Sequence, residues 1–291
     1  AHLYNEDKMP NKILLSGKKG IGKSTLAYHL INFILSKNEK KKYDLKRMII
    51  DNDNRSFKLL KNNTNPNFYL IDLIDEKKNI DIAQIREMIT YINKSCFNEL
   101  PRFILIDNIE NLNINSTNAL LKIVEEPNKN VFFILIHNNE KKLLPTLKSR
   151  CLTFKINYSF QETINITNKL LNNNFFDLIN IDLISYYTTP GEIISLINLS
   201  NEKKIDLKDC SLKNLLELLI NNKYYQKNLI VKNLIINFIE LYLLKQYSNS
   251  LTKNSFLNIC HYFINRINVT EKFNLDLESL FLEFKSKLLN E

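Results

Sequence analysis

Short apolar runs alternate with longer amphipathic stretches over the first half of the chain. The runs at residues 13–16, 48–51, 68–72, 103–107, 131–136 and 152–156 are apolar nearly throughout, as strands buried on both faces are. Between them, Lys23–Leu35 and residues 82–94 and 116–126 repeat apolar residues at helical spacing. This alternation predicts a parallel sheet with helices on both faces. After Tyr158 the strand signal stops. Short helical patterns at 160–173, 176–187 and 190–199 predict a small helical subdomain. Longer ones at 212–219, 227–244 and 255–267 predict a separate bundle. Breaks such as Asn172-Asn173-Asn174 do the work of turns in a chain with only 4 glycines and 6 prolines. No internal repeat is present.

At 291 residues the chain has room for two or three domains, and 44% hydrophobic with 24% charged residues is ordinary globular composition. A net charge of +9 admits a polyanionic partner such as DNA. The run Glu39-Lys40-Lys41-Lys42 nevertheless reads more simply as a solvated loop. Cys96, Cys151, Cys210 and Cys260 are scattered, with no zinc-type spacing and no disulfide framework, which fits a reducing cytoplasm. No apolar run reaches membrane-spanning length, and the opening Ala1-His2-Leu3-Tyr4 has no secretory character. A cytoplasmic protein without membrane contact is therefore expected.

Gly17-Lys18-Lys19-Gly20-Ile21-Gly22-Lys23-Ser24 follows a predicted strand and precedes a predicted helix. That is the setting of a phosphate-binding loop, in which backbone N–H groups and a helix N-terminus converge on anionic oxygens. Gly17, Gly20, Gly22, Lys23, Ser24 and Thr25 are the candidate nucleotide contacts. Lys23 would reach the β- and γ-phosphates of ATP or ADP, and Ser24 would ligate Mg²⁺. Phe103-Ile104-Leu105-Ile106-Asp107 is an apolar strand ending in a carboxylate, so Asp107 is the second candidate Mg²⁺ ligand.

Four further segments narrow the family. Residues Asn118-Ala119-Leu120-Leu121-Lys122-Ile123-Val124-Glu125-Glu126-Pro127 and Leu143-Leu144-Pro145-Thr146-Leu147-Lys148-Ser149-Arg150-Cys151 resemble two signatures of clamp-loader AAA+ subunits. Asn65-Pro66-Asn67-Phe68 and Ile82-Ala83-Gln84-Ile85-Arg86 are similar to two more, in the same order. The resemblance covers roughly residues 11–200, and within the family it is greatest to the delta-prime subunits of bacterial DNA polymerase III.

That resemblance implies an AAA+ core at 1–157, a three-helix lid at 158–201 and an all-α collar at 202–291. It implies a ring with gamma/tau-like ATPase subunits and a delta subunit, which opens the sliding clamp on primer–template DNA. Arg150 would project into a neighbour's ATP site as a finger, and Asn138 would sit where related ATPases contact the γ-phosphate, a place His137 also fits. Lys122 and its neighbours on the 116–126 helix would face the DNA backbone, with a merely solvated Lys as the plain alternative. An arginine that merely pairs with a surface carboxylate, and a strand-end Asn without function, are the plain alternatives.

Two positions depart from the hydrolysing pattern. Asn108 stands where the family's catalytic Glu follows the Asp, and an amide takes no proton; losing a general base costs ~10²–10⁴ in rate. Glu110 lies close by in sequence but is expected to point elsewhere. In Thr188-Thr189-Pro190-Gly191-Glu192, Glu192 stands where hydrolysing subunits carry a phosphate-reaching Arg. Nucleotide binding with little turnover is the expectation, with Cys151 as a small buried residue. Many relatives hold zinc through four cysteines after the loop helix, whereas residues 37–65 contain none, so no zinc is expected. An active AAA+ motor subunit and a small-molecule kinase remain the alternatives.

Overall fold

The computed structural model describes residues 2–289 apart from Asp7, Asp75, Glu76, Cys96, Phe97, Pro127, Lys129, Lys227, Asn228, 250–252 and Asn274. The sequence candidates Cys96, Pro127 and Lys227 thus lie outside the described residues. The chain divides into two compact units, Ala1–Tyr158 and Ser159–Glu291.

The first unit runs α1 (His2–Asn5), β1 (Lys12–Ser16), α2 (Lys23–Leu35), α3 (Arg55–Lys61), β2 (Phe68–Ile71) and α4 (Ile82–Asn93). It continues with β3 (Arg102–Ile106), α5 (Ile114–Glu125), β4 (Val131–His137), α6 (Pro145–Lys148) and β5 (Leu152–Lys155). All strand pairs are parallel, in the order β2-β3-β4-β1-β5. Alternate residues serve opposite faces. Leu14, Ile104, Ile106, Phe133 and Leu135 pack with Ile85, Met88, Leu120 and Val124 of α4 and α5. Ile13, Leu15, Phe103, Leu105, Ile134 and Ile136 pack with Ala27, Ile31, Ile34 and Leu60 of α2 and α3. Two buried faces explain why β1, β3 and β4 read as unbroken apolar runs, whereas β5, expected to be buried as well, is an edge strand with Leu152 and Phe154 exposed.

Polar groups fix the edges of this sheet. Arg102, 5% exposed, donates to the carbonyl oxygens of Tyr91, Ile92, Lys94 and Ser95. Its charge thereby closes the C-terminal end of α4, where carbonyls lack helical partners. The connection from α2 to α3 is held by Asn54, which accepts from Asn32 Nδ2 at 2.9 Å and Phe57 N at 2.7 Å and donates to Lys41 O at 2.6 Å.

The run 48–51 forms no strand. Asp44 and Ile49 make a lone antiparallel bridge, and Met48 has φ 53°, outside the extended region. The Asp44 carboxylate takes the N–H groups of Lys46 and Arg47, which favours a turn over a ladder.

The second unit contains α7 (Phe160–Leu171), α8 (Pro190–Lys203), α9 (Leu212–Asn221), α10 (Leu229–Asn249), α11 (Lys253–Phe273) and α12 (Leu277–Phe284). The helix expected over 176–187 is replaced by short 3₁₀ turns at Phe175–Asp177 and Ile181–Leu183. The side chains of Asn174 and Asn180 accept from Phe176 N and Asp182 N and so start each turn. The lid–collar boundary expected at 201 falls inside α8. Leu196, Ile197 and Leu199 from before it share one core with Leu212, Leu215, Leu216, Ile239 and Phe263. Among the described residues no helix is long and apolar enough to cross a membrane.

Candidate nucleotide site

The glycine-rich loop leaves the C-terminal end of β1 and turns directly into α2. Gly17 has no room for a side chain, since a Cβ there would meet Ile156 O at 2.4 Å. Gly22, at φ 93°, adopts a left-handed conformation disfavoured for other residues, and it is the N-cap of α2 without any side-chain cap. The first N–H groups of α2 are therefore left to whatever anion meets the helix end. Thr25 is exposed in that first turn, one residue after Ser24. Gly20, at φ 79°, bends the loop between them.

Lys23 is 3% exposed, and its ammonium donates to two carbonyls of its own loop, Gly17 O at 2.8 Å and Lys18 O at 2.7 Å. Burial holds its pKa down at about 8, against the attraction of Asp107, Glu110 and Glu140. Ser24 Oγ donates to Asp107 Oδ2 at 2.5 Å. Burial pushes the Asp107 carboxyl up, and the Ser24 bond opposes that shift. The hydroxyl and carboxylate proposed as Mg²⁺ ligands thus already touch. An uncapped helix end, a retracted ammonium and a Ser–Asp pair are a donor set that would suit a nucleotide's phosphates and a divalent ion.

Asn108 follows Asp107 in a left-handed conformation, φ 53° and ψ 44°. Its Nδ2 donates to Asp72 Oδ1 at 2.6 Å, and its Oδ1 accepts from Asn138 Nδ2 at 2.8 Å. Asn138, 6% exposed at the end of β4, also donates its backbone N–H to Glu110 Oε1 at 3.1 Å. Of the two γ-phosphate candidates, Asn138 therefore reaches the Asp107 side of the site. His137 instead engages the Lys141 carbonyl at 2.9 Å and Ser16 Oγ at 3.3 Å. Glu110 is 9% exposed, and its Oε2 has no partner among the described residues.

Sequence reasoning missed Asp72. The signal was available, because the 68–72 run ends in a carboxylate just as the 103–107 run does. The register Ile71↔Ile106 then sets Asp72 abreast of Asp107.

Arg150 lies apart from this site. It comes two residues before β5 begins, and its guanidinium bonds Thr146 O at 2.8 Å and the Glu125 carboxylate. The Glu125 carbonyl in turn accepts from Lys12, the first residue of β1. Arg150 therefore stands where the strands start, and the loop stands where they finish, separated by a five-residue strand of ~16 Å. Both members of the Arg150–Glu125 pair are partly exposed, at 35% and 47%. Such a pair is worth ~0–1 kcal/mol and leaves the guanidinium easily withdrawn. Cys151 beside it is half-buried, with its thiol pushed up to about 11 by burial. In the second unit, Glu192 closes a capping box, accepting from Thr189 N at 2.8 Å.

A known family covers the first unit of the chain. A family model described as DNA polymerase III, delta subunit, matches residues 1–159. The delta-prime subunit of Pseudomonas aeruginosa is 30% identical over 139 residues, 48% of this chain and 40% of that protein. The gamma subunit of Buchnera aphidicola subsp. Schizaphis graminum is 30% identical over 225 residues, 76% of this chain and 59% of that protein. The chain thus spans about half the length of the curated relatives it matches. A gamma-subunit-related protein of Thermotoga maritima aligns with 88% of this chain and 75% of its own at 18% identity and a TM-score of 0.44. With more than half of its length matched by the family model, the chain belongs to the DNA polymerase III delta-subunit family of clamp-loader proteins.

Proposed function

We propose that this chain is a delta-prime-type stator of a DNA polymerase III clamp loader, which holds nucleotide with little or no turnover and supplies Arg150 to a neighbouring subunit. The observation that carries the first half is Asn108. It occupies the position of the hydrolytic carboxylate, and both ends of its amide are already bonded, to Asp72 and to Asn138. An amide in that place neither accepts a proton from water nor swings free to be replaced by one that does.

The residues divide the work as follows. The N–H groups of the loop and of the start of α2 bind phosphate oxygens, and Lys23 moves from its own carbonyls to the β- and γ-phosphates. Ser24 and Asp107 would hold a Mg²⁺ ion, which would offset the repulsion between the phosphates and the carboxylate. Asn138 orients the terminal phosphate. Bound ATP or ADP then stabilises this subunit's shape within the ring. Arg150, at the far end of the sheet, is out of reach of its own loop and supports action in trans. A guanidinium there neutralises charge developing on the transferred phosphoryl group, an effect of ~10³–10⁵ in rate. Its partners are gamma/tau-like ATPase subunits and a delta subunit, and the assembly acts on the sliding clamp and primer–template DNA.

Fluorescent ADP titration and steady-state ATP hydrolysis by the chain alone test this reading. Binding that needs Mg²⁺ and Lys23, with hydrolysis at background, is the expected result. Robust turnover that Lys23→Ala abolishes would favour the second reading, an active motor subunit, toward which the longer match to a gamma subunit leans.

A further inference from the structure

Asp107, Glu110 and Glu140 are the three carboxylates whose charge acts on the Lys23 ammonium. Two of them have partners. Asp107 accepts from Ser24 Oγ at 2.5 Å and from Asn108 N at 2.8 Å, and Glu140 forms a salt bridge with Lys19 at 3.4 Å. Glu110 is different. It is 9% exposed, and Asn138 N donates to its Oε1 at 3.1 Å. Its Oε2 has no hydrogen-bond partner, and no cation forms a salt bridge with it, among the described residues. Burying an unpaired carboxylate costs free energy that a neutral side chain would not. Its place is fixed as well. Glu110 is the middle residue of a 3₁₀ turn, Ile109–Asn111. Ile109 is buried in the core of the sheet, and Asn111 accepts from Lys141 Nζ at 2.6 Å and from Ile80 N at 2.9 Å. The turn thus keeps the carboxylate against the backbone of Asn138, the γ-phosphate candidate.

We propose that Glu110 makes the site selective for a nucleoside diphosphate over a nucleoside triphosphate. The proposal rests on the nucleotide-site reading above and names the ligand that the site retains. A phosphate loop cradles the first two phosphates with its N–H groups and its lysine, whereas a third phosphate has to settle between Lys23 and Asn138. On that side stands Glu110, one hydrogen bond from Asn138, with a charge that no salt bridge offsets. Repulsion between like charges grows as they approach and as water is excluded from between them, so it falls on the third phosphate more than on the second. Lys23 is shared in the same way. Its attraction to Glu110 competes with its attraction to a γ-phosphate, while the loop N–H groups that serve the diphosphate are untouched.

The test uses the full chain as wild type, Glu110→Gln, Glu110→Met and Glu140→Gln. Mg-ADP and the Mg complex of a non-hydrolysable ATP analogue compete with fluorescent ADP, which gives a Kd for each. Gln keeps an acceptor for Asn138 N and removes the charge, and Met removes the charge should the Gln variant fail to fold. The wild type is expected to bind the diphosphate about tenfold or more tightly than the triphosphate analogue. Both Glu110 variants are expected to bring that ratio to within about threefold of one by tightening the analogue, with the Kd for ADP within about twofold of wild type. Glu140→Gln, whose charge is paired with Lys19, is expected to keep the wild-type ratio. A wild-type ratio near one, a ratio unchanged in the Glu110 variants, or an equal shift in Glu140→Gln overturns the proposal. Failure of the wild type to bind either nucleotide overturns the nucleotide reading beneath it, and binding of both with equal affinity overturns the Glu110 proposal alone.

Discussion

The two ends of one parallel sheet carry opposite kinds of chemistry. Where the strands finish, polar groups are drawn inward: Lys23 onto its loop carbonyls, Ser24 onto Asp107, and Asn108 between Asp72 and Asn138. Where they begin, Arg150 is partly exposed and bonds Thr146 O and the outward-lying Glu125. The buried end sets an uncapped helix start beside Asp107 and carries an amide, Asn108, directly after that carboxylate. The exposed end carries Arg150 beside the Glu125 carboxylate, with Lys12 and Arg102 also at strand starts. The difference teaches that a change of chemistry at one end need not touch the other, because a five-residue strand separates their groups.

That separation is sharpest in its largest expected effect. Arg150→Ala should lower the DNA-stimulated hydrolysis of a complex reconstituted with the ATPase and delta subunits by ~10³-fold or more, while ADP affinity of the isolated chain stays unchanged. Arg150→Lys should recover little of this, because an ammonium does not reproduce the planar fork. Loss of ADP binding in either variant would show that the two ends are coupled.

Lys23→Ala strikes the other end. Removing a charged donor to phosphate should weaken Mg-ADP binding to the isolated chain by about 10–100-fold in a fluorescence titration. A smaller and graded effect comes from pH. The free Lys23 has a pKa of about 8, and phosphates at its side raise it, so binding takes up a proton above that pH. Affinity should be level below pH 8 and fall by at most about tenfold per unit above it, and Lys23→Arg should flatten the profile. A slope that survives in Lys23→Arg would assign it to another group.

The least effect should follow Glu125→Gln. It removes only a partly exposed ion pair, so stability should change by less than ~1 kcal/mol in a denaturant titration. A loss of several kcal/mol would make Arg150 a structural residue and end the comparison.

What the sequence disclosed follows from whether the information is contiguous. The loop, the strand ending in Asp107 and the Ser149-Arg150-Cys151 segment are each written in consecutive residues, so each was legible as a segment. Buried strands were legible because both faces are covered, so their apolar runs are unbroken. Asp72 and Asn108 are 36 residues apart and meet only through strand register, which no local pattern reveals. Arg102 reads as a polar strand flank, yet it is buried against four carbonyls that end α4. The 48–51 run misled because a single apolar pair cannot outweigh a carboxylate-capped turn, and 176–187 because two Asn side chains start 3₁₀ turns inside a helical pattern.

The most direct measurement compares Lys23→Ala and Arg150→Ala side by side in the reconstituted complex, reading DNA-stimulated ATP hydrolysis. If the chain retains nucleotide at one end of its sheet and serves a neighbour from the other, Arg150→Ala abolishes most of the activity and Lys23→Ala leaves most of it in place. Activity lost with Lys23→Ala and kept with Arg150→Ala would contradict the account and make this subunit the motor.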